Sequence, residues 1–363
     1  MIAICKGQLE MSCGALSAIR TLGRLGLDVL CICSACLPET KTDLQRSRVS
    51  VEQVYPQDPC PRGTVAKMRH YHSFRRRAWR IIEGEDGGTL IWVAKIDSAM
   101  ALGRRLLRTR YILTLQELHD KYFLYQKAIG LYASHASVVV VPEYCRANIL
   151  RCWHGLNKSP FVLPNKPILE SRQKRLPVSD ANAAKILSSI PEGQRIILYQ
   201  GVLAPDRDLS AVARAASEIG NDYRLVIMGK DRSSDLARLQ EICPDLVHIP
   251  WVRPPGHLEV TSHAHIGIAF YKFDALNSIF CAPNKIWEYA GFGIPILCQD
   301  VPGLRFTVGI AEAGVCVDAG HPEPIIAGIT EIERRYSQYS QRASEFYDSI
   351  DTEDLISKLI EGI

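Results

Sequence analysis

The sequence predicts an α/β protein of two Rossmann-like domains with parallel sheets, and three observations carry that prediction. A chain of 363 residues is too long for one ordinary hydrophobic core and suits two. Short β-rich runs alternate with helical segments in both halves, the pattern of parallel strands joined by right-handed crossovers. Many of those runs, Val138–Val141 among them, are continuously apolar, as strands covered by helices on both faces must be.

In the first half, strands are expected at Ile2–Cys5, Asp28–Cys33, Leu90–Val93, Tyr111–Leu115, Val138–Val141 and Phe161–Leu163. Helices are expected between them at Gly14–Leu25, Ala99–Arg108, Lys121–Ala133 and Glu143–Trp153. In the second half the strands are Arg195–Tyr199, Arg224–Met228, Val247–Ile249, Ile266–Ala269, Pro295–Leu297 and Gly314–Val317. The helices there are Leu209–Ile219, Ser233–Ile242, Pro255–Ser262, Asn284–Phe292 and Pro322–Arg335. A composition shift marks the junction. Pro164-Asn-Lys-Pro167 is followed by the polar, basic stretch Glu170-Ser-Arg-Gln-Lys-Arg175, which places a linker at about 168–180. Ligands of such sheets bind beyond the carboxyl ends of the strands, so functional residues are expected there.

Bulk composition excludes several classes. A hydrophobic share of 47% and a charged share of 23% describe a globular chain, neither disordered nor collagen-like. A net charge of +4 over this length is too mild for a nucleic-acid binder. Of the 12 cysteines the densest group is Cys31, Cys33 and Cys36, in and just after an apolar run, and no two Cys-x-x-Cys pairs occur at zinc-site spacing. Cys145, Cys243, Cys281, Cys298 and Cys316 stand singly among apolar neighbours and read as small buried hydrophobes. No signal peptide follows Met1 and no apolar run reaches the ~18 residues of a membrane span, so a reducing cytoplasm is the expected location.

The segment richest in chemistry is Cys281-Ala-Pro-Asn-Lys-Ile-Trp-Glu-Tyr-Ala-Gly-Phe-Gly-Ile-Pro-Ile-Leu297. Pro283 suits a first helical turn, Gly291 and Gly293 end the helix, and Pro295 opens the next strand. Lys285 and Glu288 are three apart and share one helix face. A helix N-terminus favours an anion, Lys285 adds a full charge for a phosphate, and Glu288 one turn on can accept from a ribose diol. The same spacing equally suits a surface ion pair worth a few tenths of a kcal/mol, about 0.3.

The pattern Pro-Asn-Lys-x-x-Glu-Tyr followed by Gly-x-Pro resembles the donor-site helix of retaining glycosyltransferases of sequence family 4, which have the GT-B fold. Other pieces fall in the matching order. Tyr199-Gln-Gly-Val-Leu-Ala-Pro-Asp-Arg-Asp-Leu209 resembles the first strand and loop of the family's donor domain, which assigns Gly201 to close approach of a diphosphate and Arg207 to its neutralisation. Leu225-Val-Ile-Met-Gly-Lys230 resembles the strand ending in glycine below the nucleotide, with Gly229 and Lys230 at its end. Val138-Val-Val-Val-Pro-Glu-Tyr-Cys-Arg-Ala with Pro164-Asn-Lys-Pro167 resembles the last β-α-β stretch of the acceptor domain.

The resemblance implies two Rossmann-like domains facing a central cleft: an acceptor domain over 1–168, a donor domain over 169–345, and a final helix over 346–363 crossing back to the first. It further implies a nucleotide-sugar donor (a UDP-sugar is favoured), a glycan or lipid-linked acceptor, transfer with retention, and no cofactor or bound metal. Arg207 and Lys285 then neutralise the leaving diphosphate, with Asn284 beside Lys285 at the start of the donor helix. One position departs from the family's pattern. Where many members carry a glutamate that contacts the donor sugar, this chain has Phe280, so Asn277 and Ser278 are the candidates for that contact.

Leu115-Gln-Glu-Leu-His-Asp120 follows a strand and resembles the family's acidic-x-His-acidic motif, which makes Glu117, His119 and Asp120 candidate catalytic residues. Gly7 and Gly14 bracket the first loop, which in the family lines the acceptor side. From Arg62 to Arg80 there are seven basic residues and no acidic one, interleaved with Tyr71, Phe74, Trp79, Ile81 and Ile82. Charge beside aromatic anchors suits an anionic membrane surface, with Arg75, Arg76, Arg77 and Arg80 as the contacts, and a solvated helix with a packed apolar stripe is the competing reading. The expected location is cytoplasmic, at the inner face of the membrane if that contact forms. Two rival functions share these features: a nucleotide-sugar 2-epimerase of the same fold, and a non-catalytic partner in a polysaccharide assembly complex.

Overall fold

The computed structural model of the protein describes residues 1–55, 63–85, 88–204 and 207–363, and the chain divides into a unit of Met1–Asn165 with Asp351–Ile363 and a unit of Lys166–Ile350. The first unit holds β1 (Ile2–Gln8), β2 (Val29–Ala35), β3 (Val49–Gln53), β4 (Ile91–Val93), β5 (Tyr111–Thr114), β6 (Val138–Val141) and β7 (Phe161–Val162). They form one parallel sheet in the order β3-β2-β1-β4-β5-β6-β7. The second unit holds β8 (Arg195–Gln200), β9 (Tyr223–Met228), β10 (Val247–Ile249), β11 (Ile266–Ala269), β12 (Ile296–Gln299) and β13 (Gly314–Val317), parallel in the order β10-β9-β8-β11-β12-β13. In both sheets the order reverses direction beside the first strand, β1 or β8. That switch point opens a crevice at the carboxyl ends of the strands.

Strands that read as apolar runs are buried on both faces: Ile2, Ala3, Ile4 and Cys5 in β1, and Ile266 and Ile268 in β11, are at most 1% exposed. The strand Val49–Gln53 and the helix Pro38–Arg46 before it were not expected from the sequence. Val-Ser-Val-Glu-Gln alternates buried and exposed residues because β3 is an edge strand, and so short an alternation carries little signal.

The helix expected over Ala99–Arg108 is broken. It runs Ile96–Leu102, stops at Gly103, and resumes as a 3₁₀ stretch over Arg104–Arg108. Gly103 has φ +74°, and a Cβ there would stand 2.8 Å from Cζ of Arg75, so the break makes room for a guanidinium lying on the backbone.

The basic segment forms the helix Thr64–Ile82. His70, Phe74 and Ala78 recur every four residues and, with Trp79, are buried, so Phe74 and Trp79 of the expected anchors are core, while Tyr71, Ile81 and Ile82 are half-buried. Trp79 donates its indole N–H to the Leu102 carbonyl at 2.9 Å. Arg75 donates to the carbonyls of Ala101 at 2.8 Å and Met100 at 3.2 Å, and Arg77 donates to that of Val54. Two of the four arginines assigned to a membrane therefore hold the fold. Arg62 lies outside the described residues.

The last helix, Thr352–Glu361, packs against Cys13–Arg24 and buries Ile356 and Leu359 in the first unit's core. Phe346 and Tyr347 stay with the second unit, Phe346 stacked on Trp287 at 4.2 Å. Cys31, Cys33 and Cys36 are buried free thiols. Among the described residues no helix is long and apolar enough to cross a membrane.

Candidate functional site

In the second unit, β8 is followed by Gly201 (φ +138°) and β9 by Gly229 (φ +148°), conformations that side chains rarely adopt. The two backbones touch. Gly201 N–H donates to Met228 O at 2.9 Å, and a Cβ on Gly229 would stand 1.9 Å from Gly201 O. Onto this bare backbone two cations converge. A Cβ on Gly201 would lie 3.3 Å from Nζ of Lys285 and 3.7 Å from Nη1 of Arg207. Lys285 is 7% exposed, with its ammonium 4.1 Å above the Tyr199 ring, and Arg207 lies 5.2 Å above the Tyr271 ring. Aromatic faces attract both charges. Two cations beside backbone that carries no side chain are an arrangement that suits a diphosphate.

Lys285 enters from the helix Asn284–Gly291, which Pro283 starts, so Asn284 and Lys285 occupy its first turn. Lys230 follows Gly229 and is exposed, with its ammonium 4.3 Å above the Trp251 ring. Asn277 and Ser278 lie on the one-turn helix Leu276–Ile279, Ser278 buried and Asn277 half-buried.

Glu288 is placed differently from the spacing argument. It is 5% exposed, and both carboxylate oxygens already have partners: Gln200 Nε2 donates to Oε2, and His257 Nε2 lies 3.3 Å from Oε1. Gln200 in turn accepts from Thr261 Oγ at 2.6 Å. The sequence reading missed Gln200, His257 and Thr261, since their partnership with Glu288 crosses three separate elements. A ribose diol reaching Glu288 would use its remaining lone pairs. Glu288→Gln should therefore cost about 1–3 kcal/mol of stability, because one amide N–H₂ meets donors in a buried network. Urea unfolding measures this, and a wild-type midpoint would show that the network holds nothing.

In the first unit, the loops at the carboxyl ends of β1, β4 and β5 gather a second cluster. A Cβ on Gly14 would stand 2.5 Å from Oδ1 of Asn165 and 2.6 Å from Nε2 of Gln116, so the first loop and the Leu115–Asp120 loop are in contact. His119 has φ +53° and stacks on the Tyr125 ring at 4.3 Å. Burial pushes its pKa below the usual histidine value, against the pull of Glu117 and then Asp97, so the imidazole is neutral at pH 7. Tyr71 and Tyr125 both donate to Oδ1 of Asp97, at 2.8 and 2.9 Å, and burial beside that carboxylate pushes the Tyr125 phenol up to about 12.

Glu117 is exposed, 3.7 Å from Nη1 of the buried Arg146, which also donates to Gln116 O, while Asp120 is half-buried. Lys95 donates to Ser12 Oγ at 3.1 Å and would lie 3.3 Å from a Cβ on Gly7. Lys95 and Asp97 carried no sequence signal, and Tyr71 and Arg146 none for this cluster, because single polar residues on separate elements gain meaning only once those elements meet. Among the described residues no three His, Cys, Asp or Glu side chains gather where they could hold a metal ion.

No family model matches the chain, and no curated protein matches it in sequence. Solved structures do resemble it. Anabaena Alr3699/HepE in complex with UDP and glucose superposes with a TM-score of 0.73 at 13% identity, covering 99% of this chain and 98% of that one. Sucrose-phosphate synthase from Thermosynechococcus elongatus gives 0.71 at 17% identity, covering 99% and 97%. A glycosyltransferase from Rickettsia africae gives 0.65 at 10% identity, again covering 99% and 97%. Likeness over whole chains at such low identity establishes architecture: the chain has the GT-B fold, two Rossmann-like units each built on a parallel sheet.

Proposed function

We propose that this chain is a metal-independent glycosyltransferase that binds a nucleotide-sugar donor in its second unit and transfers the sugar to a glycan or lipid-linked acceptor with retention. The observation that carries the reading is the convergence of Lys285 and Arg207 on the side-chain-free backbone at Gly201. A departing nucleoside diphosphate leaves with growing negative charge, and fixed cations aimed at that charge lower the barrier without reorganising. The UDP and UDP-glucose held by HepE, a structure of the same fold, favour a UDP-sugar. The acceptor hydroxyl then attacks the anomeric carbon from the face the diphosphate leaves, and a phosphate oxygen takes its proton. His119, neutral at pH 7, orients the acceptor or sugar by hydrogen bonding, with Glu117 and Asp120 beside it in the same loop. Asn277, Ser278, Asn284 and Lys230 complete the donor contacts, and Glu288 supports the ribose from its network.

Calorimetric titration with UDP, GDP, ADP and their common sugars tests the donor. UDP and one UDP-sugar should bind, and binding of none would overturn the reading. Conversion of the sugar nucleotide without any acceptor, followed by NMR, would replace it with an epimerase. Turnover should also survive excess EDTA. Loss with chelator and recovery with manganese would show that Arg207 and Lys285 do not by themselves neutralise the diphosphate.

A further inference from the structure

The basic helix has a feature that the donor reading does not use. Where Thr64–Ile82 meets Arg104–Arg108, a cavity of about 480 Å³ is lined by Arg75, Arg76, Arg80, Arg104 and Arg105 with Glu83, and Trp79 contributes to its wall. Five arginines against one glutamate give it a net charge of +4, equal to that of the entire chain. Two of the guanidiniums are fixed. Arg75 lies across Gly103, donating to two carbonyls through Nε and Nη2, which leaves Nη1 with no partner among the described residues. Arg105 sits 4.5 Å above the Trp79 ring and pairs with Glu83. Arg76, Arg80 and Arg104 are exposed and have no protein partner among the described residues.

We propose that this cavity is a binding site for a phosphomonoester or diphosphate group, on a free metabolite or on a lipid headgroup. Like charges crowded into a concavity repel one another, and a multiply charged anion relieves that repulsion. Guanidinium forks match phosphate oxygens two at a time, which lysines do not, and the lining is arginine without lysine. A solvated helix face needs neither the pinned Arg75 nor the glycine that admits it. The site lies wholly in the first unit and does not rest on the donor reading.

The test compares the full-length wild type with Arg80→Gln/Arg104→Gln, and with the single exposed change Arg76→Gln should the double variant fold poorly. Pyrophosphate is titrated calorimetrically with UDP in excess, so that the site at Lys285 and Arg207 does not contribute. Phosphatidylcholine vesicles carrying either phosphatidic acid, a phosphomonoester, or an equal charge of phosphatidylglycerol, a diester, are sedimented with the protein. The expected result is that the substitutions weaken pyrophosphate or phosphatidic acid binding roughly tenfold or more, while UDP affinity and melting temperature hold. Loss confined to phosphatidic acid vesicles assigns a lipid headgroup, and loss confined to pyrophosphate assigns a soluble ligand. Equal sedimentation with the two anionic lipids, unchanged binding in folded variants, or no wild-type binding to either probe overturns the proposal. Failure of UDP binding alone leaves it standing and strikes the donor reading.

Discussion

Lys285→Gln is expected to weaken UDP binding by roughly ten- to hundredfold, about 1.5–3 kcal/mol, the usual worth of a hydrogen bond to a charged group. Arg207→Gln should fall in the same range. The double variant should lose less than the sum, because both cations address one diphosphate and their contributions are coupled. Each single variant should still fold, so that the loss is one of binding. Calorimetry beside a melting curve reads both. Unchanged affinity in the double variant would remove the cationic pair from the donor site. A drop in melting temperature would instead mean that the lysine's place over Tyr199 holds the fold.

Gly229→Val should be the most destabilising single change in the second unit. The position has φ +148°, which costs a branched residue about 1–3 kcal/mol, and overpacking costs a similar amount. The obstacle here is rigid, since the new Cβ meets the backbone oxygen of Gly201 at 1.9 Å and not the end of a flexible side chain. A loss of about 2–6 kcal/mol is expected in urea unfolding, and UDP binding should disappear with it because Gly201 would be pushed from the cationic pair. Gly229→Ala should fall partway between. A valine variant with wild-type stability and affinity would mean that the two strand ends do not depend on touching.

The sequence alone determined the fold class and most elements. The strands from Ile2 to Cys5, Val138 to Val141 and Ile266 to Ala269 are apolar runs that only a sheet covered on both faces can bury, and local composition is sufficient to see that. Lys285 was marked by its place in a helix's first turn, while Gly201, Arg207 and Gly229 were singled out only by the resemblance to a known donor domain, and the structure brings the four close together. Everything that depends on distant partners was decided by tertiary structure. Trp79 looked like a surface anchor until the carbonyl of Leu102 took its N–H, and the Arg75 guanidinium broke a helix 28 residues further on, at Gly103. Glu288 looked free to meet a ligand until Gln200 and His257 took its oxygens. Periodicity reports which face of an element is apolar. It does not report which polar groups the other elements bring to that face, because those contacts form only when residues far apart in the chain pack together.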